Sequence, residues 1–323
     1  MQAHERGLEK LKAIAIINQK GGVGKSTTAS AIGGGLTLQG AKVLYADLDP
    51  QCNLSYLMEA DISGLTTASA IDVLQGNASA AEAVQHTSQG DIIAASPALA
   101  GADIVLTATG KEYRLKEALE ALAGQYDYCI IDTPPALGVL TINALTACNG
   151  CIIPAQADFL SLQGIGQLHG TIETVRKYCN PGLTVYGIVL TRYSARAVIS
   201  REVSAMMEET ASSLQTRLYK TRIRECTAVK EAQAMKQPIY AYAPRCNASA
   251  DYTALVECLY SPLLMAASKA ADELAIASVT RGIENPHART CLIQIRFRIQ
   301  DFLIICCFVV MMVVNFIGRG GAI

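Results

Sequence analysis

Short, almost wholly apolar runs alternate along the chain with stretches of helical periodicity. Ala13–Asn18 (AIAIIN), Lys42–Asp47 (KVLYAD), Asp127–Asp132 (DYCIID), Cys151–Ala155 (CIIPA) and Thr184–Leu190 (TVYGIVL) are apolar nearly throughout and rich in β-branched residues. That is the pattern of strands buried on both faces. Ser26–Leu38, Lys111–Ala123, Ile142–Cys148, Gln163–Tyr178 and Ser200–Ala211 carry helical spacing between or after them. The alternation predicts an α/β fold: a doubly wound, mostly parallel sheet with helices on both faces and right-handed crossovers. Ligands of such a sheet bind at the carboxyl ends of the strands. Gly64–Gly90, rich in Ala, Thr, Ser and Gln, shows neither period and reads as the least ordered part of the body.

The pattern changes near residue 272. No Lys occurs from Arg281 onward, and Phe302–Ile317 is apolar except for Asn315. The expected organisation is a globular body over residues 1–272 and a C-terminal extension over 273–323. Net charge is −1 among 323 residues, so any nucleic-acid role must rest on a local patch. Eleven cysteines stand mostly singly inside apolar runs, as buried thiols of a reducing compartment do. Cys148 and Cys151 have a metal-ligand spacing, but no second such pair lies nearby, and they too read as buried thiols. The charged opening MQAHERGLEK and the short apolar run behind it give no signal-peptide pattern, and a cytoplasmic setting is expected.

The chemistry concentrates at strand ends. After the first strand come Gln19, Lys20, Gly21, Gly22, Val23, Gly24, Lys25, Ser26 and Thr27, and a helix follows. Three glycines let the backbone curl so that its N–H groups form an anion nest, and the helix adds its positive dipole end. Lys25 is placed to reach the β- and γ-phosphates of a nucleotide and Ser26 to ligate Mg²⁺. The pattern departs from G-x-x-x-x-G-K-[ST] only in its first glycine, where Gln19 stands. The second strand ends in Asp47-Leu48-Asp49-Pro50-Gln51, and the strand before Thr133-Pro134-Pro135 ends in Asp132. A carboxylate there would hold Mg²⁺ together with Ser26.

The string Asn18–Thr27 (NQKGGVGKST) resembles the deviant Walker A motif of the ParA, Soj and MinD ATPases, whose mark is the early lysine, here Lys20. The strings DLDPQ and IIDTPP are similar to that family's other two motifs. Weaker likeness runs on through Ile153–Ala157, Leu190–Arg196 and the stretch Glu231–Pro244, which resembles "SEAP…GKPI…YDP", so coverage is about residues 12–265. The resemblance implies a Mg-ATP-dependent ATPase that forms a nucleotide-sandwich homodimer, binds DNA loosely, and releases it after hydrolysis stimulated by a ParB-like adaptor. It implies that Lys20 reaches across the dimer to the partner's phosphates and that Lys25 acts on the bound phosphates. It also implies that Asp49 positions the attacking water, that Asp47 sits near Mg²⁺ through water, and that Pro244 lies in the nucleotide site. The family's Arg before Glu231-Ala232 is not matched, and Ala243 replaces the Asp of its "YDP".

A local charge excess supports the DNA expectation. From Arg217 to Arg245 seven positive residues (Arg217, Lys220, Arg222, Arg224, Lys230, Lys236, Arg245) face Glu225 and Glu231, a net of +5. Arg196 is a further candidate. Such a patch would bind phosphates with little regard to sequence. The tail leaves readings open. As a helix, Phe302–Ile317 would span ~24 Å, short of a hydrocarbon core of ~30 Å. A short membrane anchor, an extension from a shifted reading frame, and a segment buried against the body or a partner all stand. A membrane-positioning ATPase of the MinD kind is the first rival function, and an iron–sulfur carrier or reductase the second.

Overall fold

The computed structural model describes residues 11–194, 198–213 and 215–259. Arg196 and the whole 273–323 extension, with its 302–317 segment, lie outside the described residues. In chain order the elements are β1 (Lys12–Ile16), α1 (Lys25–Leu38), β2 (Val43–Asp47), α2 (Asn53–Leu57), α3 (Ala70–Gln75), α4 (Ala80–Ala83), β3 (Val84–Thr87), β4 (Gly90–Ile93) and α5 (Ala102–Val105). There follow α6 (Arg114–Glu120), β5 (Tyr128–Asp132), α7 (Val139–Ala147), β6 (Gly150–Ala155), α8 (Phe159–Tyr178), β7 (Thr184–Leu190), α9 (Val198–Ser213), α10 (Thr227–Ala234) and α11 (Ile239–Tyr242). A last helix, α12, covers 247–259.

Seven strands form one sheet in the order β3-β4-β2-β5-β1-β6-β7. All neighbours are parallel except β3, which pairs antiparallel with β4. Strand alternation divides the core into two layers. Ala13, Ala15, Leu44, Cys129, Ile131 and Ile153 pack under α3 and α6–α9, whereas Ile14, Ile16, Tyr45, Ile130 and Ile152 pack under α1, α2 and α10–α12. The doubly wound sheet read from the sequence is the one observed.

Helix α1 lies close on the sheet because it carries Gly33: a Cβ there would meet the Tyr45 ring at 2.4 Å. Two readings need correction. Gly64–Gly90 is not irregular: it holds α3, α4 and β3. Ser69 with Asp72 and Ser79 with Glu82 form reciprocal capping boxes that start the two short helices. The helix expected over Lys111–Ala123 is a 3₁₀ turn, Lys111–Tyr113, leading into the shorter α6.

Beyond β7 the sheet edge is covered by residues 217–225, which run parallel to it. Ile188 and Tyr193 donate to the carbonyls of Arg217 and Ile223, and Tyr219 and Ile223 donate back to those of Ile188 and Leu190, at 2.7–2.9 Å. Tyr219 and Ile223 point inward, while Arg217, Lys220 and Arg224 are exposed.

Candidate functional site

The carboxyl ends of β1, β2 and β5 meet at one place. Asp47 and Asp132 are register partners on adjacent strands, and Ile16 on β1 pairs with Asp132 from the other side. The loop leaving β1 turns on Gly22 and Gly24, with φ of +74° and +84°, values that glycine adopts without strain. Gly24 starts α1 and no side chain caps it, so the first N–H groups of that helix face the loop without a side-chain acceptor. Thr191, buried at the end of β7, fixes the loop by donating to the Val23 carbonyl at 2.8 Å.

A cavity of about 670 Å³ opens over this loop. Gly21, Gly22, Gly24, Lys25, Ser26, Thr27 and Asp49 line it from the strand ends, and Tyr56, Arg192, Arg224, Lys230 and Gln233 line the facing walls. Its size suits a nucleotide-sized ligand.

The carboxylates differ in their duties. Asp47 is fully buried: its Oδ2 accepts from the N–H and hydroxyl of Ser55 at 2.8 and 2.7 Å, and its Oδ1 from the N–H of Asp49 at 3.0 Å. Both oxygens hold the turn in place, which presents Asp49 to the cavity. Burial raises the Asp47 carboxyl to about 6 against the pull of those hydrogen bonds. Asp49 Oδ1 accepts from the N–H of Gln51 at 3.0 Å.

Asp132 is also fully buried. One oxygen accepts from the N–H of Thr133 at 3.0 Å, and the other, Oδ2, is buried without a hydrogen-bond partner. Burial, then the neighbouring Asp47, push this carboxyl well above the usual range, while Ser26 and Lys25 pull the other way. A buried carboxylate oxygen that accepts no hydrogen bond, beside the Ser26 hydroxyl, is the kind of ligand a hard cation takes. Lys25 is buried, its Nζ 3.3 Å from the Lys20 carbonyl; desolvation lowers its ammonium group, and Asp132 and Asp49 partly offset this.

Lys20 points away from the cavity. Its Nζ lies 2.5 Å from Asp158 Oδ2, 3.3 Å from Gln156 Oε1 and 3.5 Å from Ser161 Oγ. Val23 contributes a buried side chain and the carbonyl that Thr191 holds, not a cavity wall. Pro244 is not brought to the cavity: it falls in the exposed turn after α11, and α10 supplies the wall through Lys230 and Gln233.

The basic candidates divide. Arg224 pairs with Asp251 on α12 at 2.7 Å and lines the cavity with Lys230, so the +5 count omitted a carboxylate from outside its window. Arg217 stacks on Tyr219 and Arg222 on Tyr193, each 4.6 Å from the ring centroid. Lys220 is exposed on the same segment, and Arg245 is exposed in the turn before α12. Cys148 and Cys151 are buried thiols, Cys151 pushed up to about 12 by desolvation.

A family described as an AAA domain matches residues 11–185. Sporulation initiation inhibitor protein Soj of Bacillus subtilis is 39% identical over 252 residues, 76% of this chain and 97% of Soj. The chain belongs to the ParA/Soj family. Another relative, chromosome partitioning protein ParA of Caulobacter vibrioides, is 39% identical over 250 residues, covering 76% of this chain and 92% of that one. Among solved structures, cobyrinic acid a,c-diamide synthase from Mycobacterium smegmatis with bound ADP and magnesium is similar, with a TM-score of 0.67 and 34% identity. It covers 77% of this chain, which covers 94% of it. Ser55, Asp158, Thr191 and Gln233 escaped the sequence reading. Asp158 alone left a signal, an Asp directly before an apolar helical stretch, the mark of an N-cap.

Proposed function

We propose that this ParA-like partitioning ATPase binds Mg-ATP in the cavity over the phosphate loop, dimerises around it, holds DNA loosely, and lets go after hydrolysis. The observation that carries the reading is the convergence of Lys25, Ser26, Asp49 and the unpartnered Asp132 Oδ2 at one set of strand ends. The loop's N–H groups and Lys25 take the phosphate charge, Asp49 orients the attacking water from a turn held rigid by Asp47 and Ser55, and positioning is most of what phosphoryl transfer requires. Ser26 and Asp132 would hold Mg²⁺, whose contribution is to neutralise charge on the phosphate oxygens.

Lys20 lies at the loop's outer side, where a second copy facing the cavity would meet it. The DNA face is the segment 217–225, with Arg217, Lys220 and Arg222 as its carboxylate-free charges among the described residues. A ParB-like adaptor would stimulate hydrolysis, and the 1–272 body would act in the cytoplasm. Among the described residues no helix is long and apolar enough to cross a membrane.

Replacing the water-positioning carboxylate tests the scheme. Asp49→Ala should bind ATP, fail to hydrolyse it, and accumulate as a dimer by light scattering. Hydrolysis at the wild-type rate would remove Asp49 from the mechanism.

A further inference from the structure

Gln233, on α10, donates from Nε2 to Oγ1 of Thr27 at 2.7 Å, across 206 positions of sequence. Both residues are half-buried and both line the cavity. A hydroxyl carries one hydrogen, and accepting from Gln233 leaves that hydrogen to be donated elsewhere. A threonine in a helix commonly donates to the carbonyl four residues back. For Thr27 that carbonyl is Val23, which already accepts the Thr191 hydroxyl at 2.8 Å. Thr27 makes no such bond to it among the described residues, and its hydrogen is left to the cavity, where the first turn of α1 would favour an anion.

We propose that Gln233 is a positioning residue: it fixes the Thr27 hydroxyl as a donor to a phosphate oxygen of the bound nucleotide and thereby fastens α10 to an occupied site. The inference rests on the Mg-ATP reading above. In the "SEAP" stretch of the family the residue after Glu-Ala is proline, which offers no side-chain donor; the amide at Gln233 belongs to this chain. α10 also sends Lys230 into the cavity and follows directly on the basic segment 217–225, so occupancy of the site bears on the orientation of that segment.

A double-mutant cycle on the full chain tests this, with Mg-ATP affinity read by a fluorescent nucleotide analogue and ligand-free melting recorded alongside. Gln233→Met keeps the side chain's length and removes its amide; it should weaken Mg-ATP binding about five-fold, the scale of one hydrogen bond, with ligand-free melting unchanged. Thr27→Val should weaken binding at least as much. The double variant should be no weaker than Thr27→Val alone, because Gln233 acts through that hydroxyl. Thr27→Ser keeps the hydroxyl and should keep most of the affinity. Gln233→Glu can only accept, draws the Thr27 hydrogen to itself, and should be weaker than Gln233→Met. Additive losses, or wild-type affinity in Gln233→Met, overturn the role of Gln233 while leaving the nucleotide reading intact. A wild-type chain that binds no better than Lys25→Ala overturns the nucleotide reading itself, and the inference with it.

Discussion

Lys20 Nζ and Asp158 Oδ2 lie 2.5 Å apart within one chain, joining the phosphate loop to the N-cap of α8. Asp158 serves twice: its other oxygen accepts the Ser161 N–H at 2.8 Å and caps α8. In the proposed dimer, a lysine that serves the partner's phosphates is therefore held in the single chain by its own carboxylate. Asp158→Asn keeps an acceptor for the cap and removes the charge. A partly exposed pair of this kind is worth about 1 kcal/mol. A homodimer releases two such pairs, so with a non-hydrolysable ATP analogue the variant should dimerise at roughly 25-fold lower protein concentration by sedimentation. Dimerisation at the wild-type concentration or above it would mean that the pair does not restrain Lys20.

Asp132 predicts opposite effects on stability and on function. Its Oδ2 is buried, unpartnered and beside a second carboxyl. Asp132→Asn keeps an acceptor for the Thr133 N–H and removes the charge. The neutral amide puts no second charge beside the buried Asp47 carboxyl, where a carboxylate is costly, so the ligand-free variant should melt higher than wild type. The gain in melting temperature that Mg-ATP gives the wild type should disappear. A variant that melts lower without ligand, or still responds to Mg-ATP, argues against a cation at this carboxylate.

Gly33 is a packing position. Alanine there gains up to about 1 kcal/mol of helix propensity, but its Cβ would sit 2.4 Å from the ring of the buried Tyr45. Overpacking of a close-packed core costs about 1–3 kcal/mol, so Gly33→Ala should lower the urea midpoint. An unchanged or higher midpoint would show that α1 can move off β2 at no cost.

The sheet was legible because parallel strands buried on both faces are apolar without interruption, and Ile14–Ile16 or Ile130–Ile131 leave little else to read. The phosphate loop was legible because its glycines, lysine and hydroxyls are contiguous. What the chain hid was long-range. Asp251 neutralises Arg224 from 27 positions away, Gln233 reaches Thr27 from 206, and Asp158 takes Lys20 from 138. β3 was hidden because an edge strand such as Val84–Thr87 is only half-buried and carries polar residues. Residues 217–225 were read as charge alone, since their strand-like pairing with β7 rests on isolated hydrogen bonds.

Lys220 and Arg222 make a cleaner charge reversal than Arg224, whose guanidinium is committed to Asp251. Lys220→Glu with Arg222→Glu should weaken binding to every duplex alike and leave ATP affinity unchanged. With about four phosphates neutralised per dimer, the wild-type log–log salt slope should be near −3.6 and the variant's shallower. A loss confined to one DNA sequence would mean that these residues read bases.

The most direct test of the account is the nucleotide dependence of DNA binding. Anisotropy titrations would use two duplexes of unrelated sequence with no nucleotide, with Mg-ADP and with Mg-ATP. A dimer doubles the contacts of a single chain, so binding should be strong only with Mg-ATP. It should be equal for the two sequences and persist longest in Asp49→Ala. Binding that is the same with and without Mg-ATP would contradict it.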